Sequence, residues 1–152
     1  MRTRIAAPML RSVLACGVVS AGAQTQDSKW ELVNTRETAD AEGNEYFVDT
    51  ANLRFTEDRI TANVLVQYRD VQTNLGSEYE VRSDTRYSFF DCAHRRSALK
   101  AITAYSGDRG AGHVVRWVDL AGEWRAVTPA SVDEALLEFV CSRAPKQPRN
   151  PT

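Results

Sequence analysis

Histidine, cysteine and long apolar runs are all in short supply in these 152 residues. The histidines are His94 and His113, and the cysteines are Cys16, Cys92 and Cys141. A structural zinc centre usually takes four nitrogen or sulfur ligands, which this set does not readily assemble, so no metal site and no cofactor is expected. No stretch approaches the roughly 18 uninterrupted apolar residues that a membrane-spanning helix needs, so no transmembrane segment is expected. Catalytic signatures are missing as well: there is no G-x-S-x-G elbow, no G-x-x-x-x-G-K-[ST] loop and no H-E-x-x-H. Charge of one sign is not in excess either. Nineteen Lys and Arg face twenty Asp and Glu, a net charge of −1, so the chain lacks the cationic field that nucleic-acid binding requires.

What is present starts with a core's worth of apolar material. At 43% hydrophobic residues, the bulk of the chain is globular rather than disordered, and its length fits one domain. The first 23 residues do not look like part of that domain. Arg2, Arg4 and Arg11 are their only charges, an apolar run follows over residues 13–23, and the run ends Ala21-Gly22-Ala23. A basic region, a short apolar region and an A-x-A end make a secretory signal peptide cleaved after Ala23. The alternative is lipidation at Cys16, where Val13-Leu14-Ala15-Cys16 loosely follows a bacterial lipobox. It would leave the domain tethered to a membrane by its lipid, not spanning it. Removal of residues 1–23 takes away three arginines and no acid, which moves the net charge from −1 to −4.

Either route takes Cys16 out of the folding problem and leaves Cys92 and Cys141. An even pair in an exported protein is expected to be bonded, and a loop of about 50 residues closed in this way contributes about 4 kcal/mol on the chain-entropy estimate. The competing reading is a reactive thiol or a metal ligand, with only His94 close by in sequence.

Residues 24–29 form a short polar linker, and a folded region is expected over residues 30–143. Strand patterns dominate it. Tyr46-Phe47-Val48 is a short apolar run closed by Asp49-Thr50. In residues 60–68, Ile60, Ala62, Val64, Val66 and Tyr68 alternate with Thr61, Asn63, Leu65 and Gln67, which gives one strongly apolar face. Residues 74–76 supply a turn signal, and residues 79–90 return as a β-rich segment. Residues 97–105 fit either a short helix or a strand, and the β-rich neighbours favour the strand. The glycines of residues 107–112 are in the wrong order for dinucleotide binding and precede a strand (residues 114–118) instead of a helix, so they read as a turn.

One helix is clear. Ser131 and Glu134 form a capping-box pattern just after Pro129. Val132, Ala135, Leu136, Phe139 and Val140 then recur at helical spacing as a stripe that must pack on something. Cys141 lies off that stripe, which places it in a fraying last turn. Residues 144–152, with Pro145, Pro148 and Pro151 at a three-residue period, read as a disordered or extended tail. The sum is an α+β fold: an antiparallel sheet with a C-terminal helix laid on it and tied to it by the disulfide.

Candidate sites are few. Asp91 with His94, and Asp119 with Glu123, are pairs of the kind acid–base chemistry uses, but ordinary surface salt bridging accounts for carboxylates at this density. No catalytic residue is assigned, and the chain is read as non-enzymatic. Arg95, Arg96 and Lys100 make the one compact basic cluster. It reads either as a patch for an acidic glycan, a phospholipid head or a protein, or as a solvated edge whose charges oppose strand-to-strand aggregation.

Taken in order, several segments resemble the surface-adhesin protein E-like family of Gram-negative bacteria. They are Trp30, Tyr46-Phe47-Val48-Asp49, the alternating strand to Tyr68, Arg82-Ser83 and Tyr87 leading to Asp91-Cys92, and Tyr105 with Gly110-Ala111-Gly112. Trp124 and Thr128-Pro129-Ala130-Ser131 then lead into the helix that ends Phe139-Val140-Cys141. The resemblance implies a small exported domain with an antiparallel sheet and a disulfide-tied helix. It also implies a class of lipoproteins and periplasmic proteins, some of which are adhesins for host matrix and serum proteins. The basic pair that the family's namesake carries before its central cysteine corresponds to Glu78 and Tyr79 here, so the resemblance does not extend to that pair. The expected function is a non-enzymatic binding domain, periplasmic or at the outer surface, with a host-matrix or envelope protein as partner. The alternative is a soluble periplasmic protein that binds a small ligand or an envelope partner. The sequence names neither the partner nor the oligomeric state.

Overall fold

The structure, a computed structural model, describes residues 28–33, 40–73 and 79–145. The expected signal segment, Cys16, the turn at residues 74–76 and residues 146–152 of the expected tail lie outside the described residues. The strands are β1 (Trp30–Leu32), β2 (Glu45–Asp49), β3 (Arg54–Phe55), β4 (Ile60–Gln72), β5 (Val81–Asp91), β6 (Arg96–Tyr105), β7 (Val114–Asp119) and β8 (Arg125–Ala126), followed by the helix α1 (Val132–Cys141). The sheet order is β1-β2-β4-β5-β6-β7, with β3 beside β4 and β8 beside β6. Every pairing is antiparallel. Residues 97–105, which fit either helix or strand by pattern, are strand.

The alternation of β4 positions everything else. Successive side chains of a strand point to opposite faces, so Ile60, Ala62, Val64 and Val66 share one face. There they pack with Tyr46 and Val48 of β2, Phe90 of β5, and Leu136, Leu137 and Val140 of α1. This is the core, and α1 covers it. The opposite face holds Leu65, which pairs with Phe47, and both are buried. Their cover is the 106–112 turn, which folds over that end of the sheet: the Arg109 guanidinium lies 4.6 Å from the Phe47 ring. The turn depends on Gly112, whose φ is +79° and where an added Cβ would fall 2.6 Å from Ser106 Oγ. A substitution there is strained by conformation and by contact at once.

The helix begins as its sequence requires, with a small departure. Glu134 N donates to Ser131 Oγ at 3.2 Å, but the Glu134 carboxylate accepts from the Ala130 N–H at 2.8 Å, one residue before the usual capping-box donor. The buried stripe is also rotated from the expected one. Leu137 is 1% exposed and Val140 is fully buried, whereas Val132 and Phe139 are only partly buried against the core. Cys141 is the last helical residue and lies four positions from Leu137, on the same side. It is not in a frayed turn. Its bond to Cys92, with a Cα–Cα distance of 5.9 Å, ties the end of α1 to the turn after β5 and draws the Leu137 side onto the sheet. After the helix, Ala144 packs against the core and Arg143 pairs with Glu31 of β1 at 2.6 Å.

Candidate binding surface

The three residues of the basic cluster are neighbours in sequence, but each has its own acidic partner. Arg95, in the turn after Cys92, pairs with Glu134 and, at 3.6 Å, with Glu138 of α1. Arg96 donates from Nε to Asp91 Oδ2 at 2.8 Å, and its guanidinium lies 5.0 Å from the Trp124 ring. Lys100 pairs with Asp119 at 2.9 Å and donates to the Leu120 carbonyl at 2.8 Å. The fold therefore spreads these cations over three surroundings and neutralises each locally.

Asp91 anchors this corner. Burial alone would raise its carboxyl, but the His94 backbone N–H, the Arg96 guanidinium and the His94 ring together outweigh burial and hold it at about 2, against an ordinary value of 3.8. A carboxyl whose pKa is depressed by folding stabilises the fold above its unfolded pKa, and that contribution is lost as pH falls through the folded value. Acid titration should therefore show stability falling between about pH 4 and pH 2, and Asp91→Asn should flatten that part of the curve. A melting-temperature series across this range checks it, and identical wild-type and variant curves would contradict the assignment. Among the described residues, no group of three or more His, Cys, Asp or Glu is placed to hold a metal ion.

The sheet face opposite α1 is the larger feature. By strand register, Phe47, Leu65, Thr85, Thr103 and Trp117 form one row across it, and Asn63, Tyr87, Ala101 and Asp119 form the next. The 106–112 turn covers the Phe47 end, and the far end is open. Trp117 is 64% exposed and Tyr87 41%. Tyr87 meets Phe89 edge-on at 5.6 Å between centroids, and Phe89 is flanked by Trp124 at 6.4 Å and by the Arg59 guanidinium at 4.7 Å. Exposed aromatic side chains, with arginines at the half-buried rings beside them, are the composition of protein-recognition surfaces. Trp117 was not among the sequence candidates. The signal was present, a lone Trp in a short strand, but which face it takes depends on pairing with β6.

On the helix side, a cavity of 580 Å³ opens between α1, the residue 120–128 stretch and the sheet, with Val64, Arg86, Ser88, Phe90, Leu99 and Leu136 in its walls. Arg86 is held there by Asp84, to which it donates from Nε at 3.0 Å and from Nη2 at 3.3 Å. Tyr68 donates its hydroxyl to the same carboxylate at 2.6 Å. Tyr46, whose ring lies 5.8 Å from the guanidinium, donates to Asp40 at 2.8 Å. Burial, and then Asp84, push the Tyr68 phenol up to about 12, while burial and the bond to Asp40 raise Tyr46. Burial alone would lower the Arg86 guanidinium, but Asp84 overrides it and raises the group well above its ordinary value. The network is thus an ion pair with two protonated phenols beside it.

The sequence model of the family described as surface-adhesin protein E matches residues 30–142. Among solved structures, the selenomethionine form of Haemophilus influenzae protein E matches with a TM-score of 0.53 and 14% identity, over 77% of this chain and 96% of that one. Protein E from non-typeable Haemophilus influenzae matches with a TM-score of 0.51 and 12% identity, over 76% of this chain and 78% of that one. At these identities the structural likeness is one of fold. Among curated proteins compared by sequence, none matches.

Proposed function

Because this chain belongs to the surface-adhesin protein E family, we propose that it is an adhesin-like, non-enzymatic binding protein that takes its partner on the helix-free face of the sheet. The partner is a protein of the host matrix or of the cell envelope. The place of action is the periplasm or the outer surface, in keeping with the signal-like pattern of residues 1–23.

The observation that carries this reading is the exposure of Tyr87 and Trp117 on a face that α1 leaves open. Large aromatic side chains dominate the binding energy of protein interfaces when a partner desolvates them. The charged cluster plays a lesser part, since Arg95, Arg96 and Lys100 already have acidic partners, and rim charges mainly affect association rate.

Binding of the purified protein to immobilised extracellular-matrix proteins and to an outer-envelope fraction tests the reading. Tyr87→Ala with Trp117→Ala should raise Kd about tenfold or more, and alanine at positions 95, 96 and 100 should change it far less. Failure of the wild-type protein to bind either source rules out the adhesin-like role. Loss of binding in the basic triple variant alone moves the contact from the aromatic face to the cations.

A further inference from the structure

The helix-side cavity has features that the adhesin reading does not use. It runs along β5 from Arg86 to Phe90, a length of about 13 Å at strand rise. Arg86 stands at one end of this stretch and Phe90 at the other, where Ser97 and Arg125 follow Phe90 in one strand row. Val64, Ser88 and Leu99 line the stretch between them, and Leu120 and Gly122 form part of the outer wall. A volume of 580 Å³ falls within the range of small-molecule sites.

The charge at the inner end is the selective element. Arg86 donates from Nε and Nη2 to Asp84 and lies beside the Tyr68 hydroxyl, and the Asp84 pairing leaves its Nη1 unused. A guanidinium pinned by one carboxylate keeps its remaining N–H groups in a fixed plane, ready for a second oxygen acceptor. At the mouth the cation is solvent-exposed and loosely paired, whereas Arg86 is fixed by its carboxylate. There Arg125 faces Glu123 at 3.9 Å, and Asp133 in the first turn of α1 adds a negative charge. An anionic group therefore finds its place at Arg86, with its apolar body lying towards Phe90.

We propose that this cavity is a binding site for a small linear aliphatic carboxylic acid, its carboxylate on Arg86 Nη1 and its chain along Ser88, Leu99 and Leu136 to Phe90. The site is separate from the aromatic face, and either function can stand without the other.

Decanoate and decanol, the same chain with and without the charge, are the probes. Calorimetric titration of the full chain should show decanoate binding about tenfold or more tightly than decanol, the worth of one charged hydrogen bond. Leu120→Trp, which plugs the outer wall and leaves the core untouched, should abolish binding of both. Arg86→Lys keeps a cation beside Asp84 but removes the second arm, and it should bring the decanoate-to-decanol ratio close to one while decanol binding persists. That ratio is read within a single variant, so a general loss of stability does not imitate it. Equal binding of the two probes by the wild-type protein overturns the proposal. So does unchanged binding in Leu120→Trp, which puts the ligand elsewhere, and so does absence of decanoate binding at millimolar concentration.

Discussion

Cys92→Ser with Cys141→Ser should lower the unfolding free energy by about 4 kcal/mol, the chain-entropy value for a loop of this size. The bond spans 49 residues of sequence and encloses β6, β7, β8 and most of α1. Without it, α1 is held to the sheet by the packing of Leu136, Leu137 and Val140 and by the Arg95 pairs with Glu134 and Glu138. A ten-residue helix is not stable alone in water, so the helix and its apolar contacts should loosen together. For a domain of this size the melting temperature should fall by about 10–20 °C. Cys92 is exposed, so thiol reductant should produce the same shift in the wild-type protein. A shift of a degree or two would mean that packing alone fixes the helix.

Asp84→Ala should be as damaging, for a different reason. Asp84 is 3% exposed and satisfies two Arg86 donors and the Tyr68 hydroxyl. Its removal leaves a largely enclosed guanidinium without its counter-charge, a loss of about 3–5 kcal/mol. Replacing both members, Asp84→Leu with Arg86→Met, removes charge and counter-charge together and should restore most of the stability. Denaturant titration of Asp84→Leu alone, Arg86→Met alone and the double variant gives the coupling directly. If the two single losses simply add in the double variant, the pair is not the unit described here.

The elements that could be read from the sequence are those whose cause is local. Ile60, Ala62, Val64 and Val66 announce a strand face by alternation, and Ser131 with Glu134 announces a helix start. The Cys92–Cys141 pairing follows once Cys16 is assigned to the leader pattern. The rotation of α1 was less accessible, because helical periodicity defines a stripe only to within the width of its arc. The difference between a Phe139-centred and a Leu137-centred face is set by the bond at Cys141. The basic cluster shows the same limit. Arg95 and Arg96 are adjacent, but their partners, Glu134 and Asp91, lie at separations that only the folded chain brings close. The aromatic face and the Arg86 cavity needed the β4–β5–β6–β7 register, a non-local property. No composition or spacing rule places Trp117 in a row with Thr85 and Leu65.

The position of Cys141 also has a consequence for how the molecule is made. It follows all eight described strands, and chains emerge from synthesis N-terminus first. The covalent link to Cys92 can therefore close only after every strand of the sheet has appeared. It acts as a seal on a finished fold and gives the early strands no help in finding one another. A chain broken after residue 92 and before residue 141 carries the Cys92 thiol without its Cys141 partner, so complete copies and copies cut short in that stretch differ in a chemical property, a free thiol.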